Sequence, residues 1–271
     1  MLSEYEQETE RNIEAWQKGD DSTLRQAINA IMSPVDWATE RWVPPDMLRQ
    51  ADDAVSGFVE VLGDAAKWTV SLDGVLEDAH ELGIEANSIE SLRYIDLEKL
   101  DPLAQKYADS NALVAAIEGG GAGLGGVAFI AADVPALLTI NLRLTLQIAA
   151  VYGFDLRSTE YQPLIMAILN VAASGTPAAK HQALREMSVA GSAFAAHAKY
   201  LGRVQGAFSA QNRHVPREIA KQLLGRKLAQ MIPLAGAAIG AGVNYWFTGR
   251  TADAATMCMR SLNLECRRRQ S

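Results

Sequence analysis

Apolar residues recur three and four positions apart along most of the chain, the spacing of helices that bury one face. Ser3 followed by Glu6 forms the capping-box pattern that opens a mostly polar first helix. The stretch "GDDSTLRQAINAIM" offers Asp21 or Ser22 as the cap of a second helix, and Pro34, Pro44 and Pro45 then break the pattern. Pro45 suits a first helical turn, so the segment from there to Trp68 is predicted to be long and helical. Leu72 to Lys99 is acidic with uneven apolar spacing, which predicts shorter helices and loops. "DPLAQKYADSNALVAAIE" restores the helical period, with Asp101 predicted as cap and Pro102 at the first position. No segment shows the alternation of β-branched and aromatic residues between turn signals that marks strands. The pattern therefore predicts an all-α fold, one large helical domain.

From Gly119 onward the residues turn small and apolar: "GGGAGLGGVAFIAADVPALLTINLRLTLQIAAVYGFD". Gly121, Gly123 and Gly126 satisfy the spacing G-x-G-x-x-G, but a dinucleotide site needs a strand before the glycines and an acid about 20 residues on. The preceding "SNALVAAIE" is helix-like, and no Lys-Ser or Lys-Thr follows for a phosphate loop, so nucleotide binding is disfavoured. A membrane span is the second reading. Asp133 and Pro135 are expected to divide the apolar stretch into pieces shorter than the roughly 20 residues a span needs. "MIPLAGAAIGAGVNYWF", Met231 to Phe247, is similarly short. Close helix packing is the third and preferred reading. Gly119/Gly123 and Gly236/Gly240 are four apart, and Ala198, Gly202, Gly206 and Ala210 form a stripe of the same period. Small residues so spaced share a helix face and let backbones approach.

Charge is unevenly spread. Residues 1–118 carry 25 acids against 9 bases, net −16, and residues 119–271 carry 7 acids against 16 bases, net +9. The halves should attract each other, and pairing within the domain is preferred over an anionic external partner. The alternative rests on Arg217, Lys221, Arg226 and Lys227, which adjoin the apolar segment ending in Tyr245 and Trp246, with "CRRRQS" as a further basic element. That pattern suits anionic headgroups, each basic residue contributing about 1 kcal/mol. Nucleic acid is not expected, because the acidic half would repel it and no reader motif is present.

Among polar residues of the apolar stretch, Arg143 and Gln147 share a helix face, and Asp133 is expected to project to nearly the same side. Asp133, Arg143, Asp155 and Glu160 are the candidates for a catalytic or ligand-binding site, with a pocket near the first three. The plainer reading makes Asp133 a helix cap before Pro135, Asp155 a cap for a helix near Thr159, and Arg143 a structural partner. It is preferred, because catalysis needs more convergent groups. His80, His181, His197 and His214 never fall at metal-binding spacing, and there is no H-E-x-x-H or G-x-S-x-G. A folded cluster of Glu186, His197 and His214 is a minor alternative. Cys258 and Cys266 fit neither a disulfide framework nor a zinc site and read as free thiols. No motif calls for a metal or other cofactor. The N-terminus lacks the pattern of a secretory signal, so a cytoplasmic protein is expected, at most peripheral on the inner membrane.

The long apolar stretch followed by "LIMAILNVAASG" resembles the signature of the bacterial EcsC family, in which a glycine-rich segment leads into an Asp-x-Pro helix and a Tyr-Gly-x-Asp turn. "PVDWATERWVPPDML", "LEKLDPLAQKY" and "IPLAGAAIGAGVNYWF" resemble its other blocks. The resemblance runs over about residues 33–270, which makes 33–271 the expected domain and leaves residues 1–32 as an added helical arm. It implies a bacterial source and a link to membrane physiology, since the family is named for a gene beside an ABC transporter. It implies no settled activity. Together these readings give peripheral association with an anionic membrane surface or a membrane protein as the expected role. An enzyme or apolar-ligand-binding module is the alternative.

Overall fold

A computed structural model describes residues 2–18, 70–123, 127–174, 177–195, 219, 223 and 236–270. Among these residues there is no strand, and the architecture is all-α. The helices are α1 (Glu4–Lys18), α2 (Leu72–Glu81), α3 (Ile89–Leu92), α4 (Leu97–Gly123), α5 (Val127–Val151), α6 (Gln162–Ala173), α7 (Pro177–Ala195) and α8 (Gly236–Gln270), with a 3-10 turn at Thr159–Tyr161 before α6. The predicted helices around Asp21 and Pro45, and the stripe holding Gly202 and Gly206, lie outside the described residues.

Local signals start and stop several of these elements. Ser3 Oγ accepts from the Glu6 amide at 3.2 Å and Glu6 Oε2 accepts from the Ser3 amide at 2.9 Å, the reciprocal capping box of α1. Ser71 caps α2 by accepting from the Gly74 amide at 3.0 Å. Gly83 ends α2 at φ +74°, while the Ile84 amide donates back to Ala79 O. The same device closes α5: Gly153 sits at φ +86°, and the Phe154 amide donates to Ala149 O.

Two expected caps are corrected. α4 begins at Leu97, so Asp101 lies inside the helix and Pro102 is its sixth residue. Leu97 and Leu100 are fully buried, and burying that extra turn outweighs the single hydrogen bond and local crowding that Pro102 costs. α5 likewise runs unbroken through Asp133 and Pro135. The apolar stretch is therefore not divided there, and Asp133 is not a cap.

The long helix α8 is the organising element, on the order of 50 Å at 1.5 Å per residue. It packs most extensively on α4 and also on α5, α6, α7 and α1, while α4 packs on α5 and α6 on α7. The core draws on nearly every described element, including Leu92, Leu97, Leu100, Leu103, Leu137, Tyr152, Phe154 and Phe247.

Candidate functional site

The seam between α4 and α8 holds the densest polar chemistry in the described structure. Its register is fixed at both ends. A Cβ built on Gly119 would meet Gly240 O at 2.4 Å and Asn244 Nδ2 at 2.5 Å, so the two backbones touch there. About 27 Å away along α4, Asp101 pairs with Arg260: Nη2 lies 2.8 Å from Oδ2 and Nε donates to Oδ1 at 3.0 Å. The helices are therefore antiparallel.

Asp101 also accepts from the Tyr5 hydroxyl of α1 and from the Tyr152 hydroxyl beyond α5, each at 2.5 Å. Its side chain is 9% exposed and that of Arg260 is 17% exposed. A carboxylate held by a bidentate guanidinium and two phenols is satisfied and fixed. Burial, followed by the bond to Asp101, pushes the Tyr5 phenol up to about 12. Burial also raises Tyr152 well above the usual phenol range, with Arg260 acting in the opposite direction. The cluster favours neutral phenols beside a charged pair, the electrostatics of a structural knot.

Between the two ends lies a groove of about 370 Å³. Ala104, Ala108 and Ala112 form its α4 side, Trp246 and Gly249 belong to its α8 side, and Asp101 and Arg260 lie at one end. Trp246 is 5% exposed, with the Arg250 guanidinium 5.1 Å from its ring centroid, whereas Tyr245 is 48% exposed.

The four candidate catalytic residues take separate positions. Asp133 is buried and faces α8, where Asn244 Nδ2 donates to Oδ1 at 3.2 Å. Arg143 faces α4 instead, donating from Nε and Nη2 to Asn111 Oδ1 at 3.2 and 3.0 Å. Asn111 in turn donates to Gln147 Oε1 at 3.0 Å, so the shared face of Arg143 and Gln147 is a helix–helix contact. The expectation that Asp133 projects with them is corrected: ten helical positions turn it toward a different neighbour. Asp155 pairs with Arg157 two residues on, Oδ2 to Nη2 at 2.9 Å, and that arginine is the main cause holding its carboxyl below the ordinary range. It also accepts from the Arg157 amide at 3.0 Å, an Asx turn. Glu160 is exposed in the 3-10 turn. None of the four lines the groove between α4 and α8.

The remaining sequence candidates divide between structure and silence. Gly119 and Gly240 form the backbone contact above, Gly123 ends α4 and Gly236 begins α8. Arg217, Lys221, Arg226, Lys227, His197 and His214 lie outside the described residues. Glu186 accepts from Asn170 at 3.1 Å and from Gln182 at 3.2 Å. Among the described residues no cluster of three His, Cys, Asp or Glu could hold a metal ion. Neither Cys258 nor Cys266 is in a disulfide; Cys258 is buried, its thiol pushed up to about 12 by burial.

Sequence reasoning missed Asp101, Tyr152 and Arg260 as a unit. Arg260 lies 159 positions from Asp101, and only the opposite charge of the two halves hinted that such pairs exist. Two more pairs of that kind occur, Arg267–Glu6 at 2.6 Å and Arg268–Glu10. Both join α8 to α1.

The Tyr-Gly-x-Asp turn also acquires physical content. Tyr152 reaches Asp101, and Gly153 supplies positive φ where a Cβ would strike Arg93 N at 2.5 Å. Phe154 packs under the Arg93 guanidinium at 4.5 Å, and Asp155 forms the Asx turn. These features define a class of protein: one whose described residues form an all-α body in which α4 and α5 are fastened to the long helix α8 by buried polar pairs. The chain belongs to the EcsC protein family, whose family model matches residues 7–262, a span that takes in α1 from Gln7 onward.

Two relatives from Bacillus subtilis (strain 168) are similar to it. The uncharacterized protein YdbA is 27% identical over 157 residues, 58% of this chain and 55% of YdbA. Protein EcsC is 27% identical over 161 residues, 59% of this chain and 62% of EcsC. The matched region thus spans less than two thirds of either relative. No solved structure matches the chain.

Proposed function

We propose that this chain is a helical domain that associates peripherally with the inner membrane. The observation that carries the reading is a group of large apolar side chains left in contact with solvent. On α4, Leu113, Val114 and Ile117 are 60, 46 and 69% exposed and fall within one arc of the helix. The antiparallel register brings Tyr245 of α8 to their level. Exposed apolar residues gathered on one face mark interaction surfaces more often than those scattered singly, and tyrosine favours the membrane–water boundary.

Sequence supports the same direction. No charged residue occurs from Gly119 to Ala132, a run that follows Ile117 after the single acid Glu118, and the basic excess includes Arg217, Lys221, Arg226 and Lys227. Asp133–Val151 is long and apolar enough to cross a membrane, but 67% of it is buried in the fold, which favours a core role for that helix over a span. A membrane protein as the docking partner is the variant of this reading that lipid vesicles separate. The test is flotation with neutral and anionic vesicles at low and high salt. Retention on anionic vesicles, released by salt and weakened in a Leu113→Glu/Ile117→Glu variant with unchanged thermal midpoint, is the expected result. Indifference to both vesicle types overturns lipid docking and transfers the face to a protein partner.

A second reading, a ligand-binding module, is favoured by the groove between α4 and α8 rather than by a pocket near Asp133, Arg143 and Asp155. No reaction is assigned to it.

A further inference from the structure

The helix α1 is attached to the body through polar groups as much as through apolar ones. Of its 15 residues only Glu6, Thr9, Ile13 and Trp16 are buried, and two of these are polar. Tyr5 donates to Asp101, Glu6 pairs with Arg267 at 2.6 Å, and Glu10 pairs with Arg268. Lys180 of α7 lies 5.5 Å from the Trp16 ring centroid. The helix carries five acids against two bases, and the end of α8 that receives it reads Cys266-Arg267-Arg268-Arg269. Electrostatic attraction holds α1 to α8 beside an apolar contact in which Ile13 and Trp16 join the core and Tyr5 packs against it.

Beside Trp16 lies a small groove of about 110 Å³ between α7 and α8. Trp16 shares its lining with Met187, Gly191, Met257, Cys258 and Leu262. The lining is thioether-rich and adaptable. A free helix of this length is marginal in water, so α1 detached from its seat would also lose its own helical structure. Seat and helix therefore form a local unit that can open without the core.

We infer that α1 is a displaceable strap: an intramolecular ligand, closed by its acids on Arg267 and Arg268 and by Trp16 over the groove between α7 and α8. When it leaves, the seat fits another acidic amphipathic helix with an aromatic anchor. Opening is favoured by salt, which screens the exposed Glu10–Arg268 pair most and the more buried Glu6–Arg267 pair less.

Cys258 reports the state of the strap, because it lines the groove together with Trp16 and is 5% exposed when α1 is seated. With only two cysteines in the chain, Cys266→Ser leaves it as the sole thiol. Its rate of modification by a small aromatic disulfide is then measured at low and high sodium chloride, with helicity followed by circular dichroism. The rate is expected to rise on the order of tenfold with salt, as the loss of about 1.4 kcal/mol of closing free energy requires. It should rise at least as much at low salt in Glu6→Gln/Glu10→Gln. Gln at position 6 retains the capping box, so α1 keeps its own start signal. Rates that are unchanged by salt, or that rise only with a loss of helicity larger than the 15 residues of α1 account for, overturn the strap. If the double variant does not fold, the salt series on the parent decides alone.

Discussion

The two ends of the α4–α8 seam are held by opposite kinds of chemistry. At one end neither Gly119 nor Gly240 carries a side chain, and α4 lies directly against the Gly240 backbone and the Asn244 amide of α8. At Asp101 and Arg260 long side chains span the gap, and two phenols from other elements complete the cluster. The glycine end depends on the close approach of uncharged atoms and is expected to be insensitive to salt. The ionic end depends on groups that are costly to bury alone and joins α1, α4, α8 and the turn after α5. One helix pair thus has a hard, shape-determined end and an electrostatic end that couples it to a peripheral helix.

The largest way to break this arrangement is at the ionic end. Asp101→Asn preserves shape but leaves the Arg260 guanidinium, mostly out of water, without its counter-charge. Removing one partner of such a pair costs about 3–5 kcal/mol, and the expected loss of stability lies in that range, read from the midpoint of urea unfolding. Arg260→Gln added to Asp101→Asn should recover part of the loss, since the double variant buries no unpaired charge. A single variant as stable as the parent would mean that the cluster is solvated and that the seam rests on its apolar contacts.

The glycine end should respond less. Gly119→Ala places a methyl group within 2.4 Å of Gly240 O, and the helices must separate by several tenths of an ångström at least. Overpacking of this kind costs about 1–3 kcal/mol, offset by up to about 1 kcal/mol from the better helix propensity of alanine. The net loss should be the same at low and high salt. A loss that salt enlarges would show that the two ends are not mechanically separate.

What the sequence made legible follows the same division. The helical class, the Ser3–Glu6 capping box and the small-residue spacing are local signals, readable within a few positions. Asp101 and Asp133 look like caps in sequence for a physical reason: an acid one or two residues before a proline carries the same local signature whether a helix starts there or not. Burial of Leu97 and Leu100 settled the matter for α4, and that burial is a property of the packed fold. The charge contrast between the halves announced attraction but not its address. Asp101–Arg260 and Glu6–Arg267 join residues 159 and 261 positions apart. The candidate set Asp133, Arg143 and Asp155 came from proximity in sequence, whereas the helices aim those side chains at different neighbours.

The smallest expected effect is at the phenol that links α1 to the ionic end. Tyr5→Phe removes the hydrogen bond to Asp101 and should cost about 1 kcal/mol near neutral pH. Its pH dependence sharpens the comparison. The Tyr5 phenol is raised to about 12 in the folded chain, from 10.0, so the folded state holds its proton more tightly than the unfolded state. The resulting stability is present below about pH 10 and is lost as pH rises through about 12. Tyr107, hydrogen-bonded to Asp78, and Tyr152 are raised as well, so the parent should weaken over that interval. A phenylalanine at position 5 carries no proton to lose, and the stability gap between Tyr5→Phe and the parent should narrow from about pH 8 to about pH 11. The gap between Gly119→Ala and the parent should stay constant across the same range, because the atoms nearest the added methyl group belong to Gly240 and Asn244, which do not titrate there. Urea midpoints at both pH values, with phenolate absorbance followed in the folded state, measure both gaps. A Tyr5→Phe gap that stays flat would detach α1 from the electrostatics of the seam and leave its contact with Asp101 as packing alone.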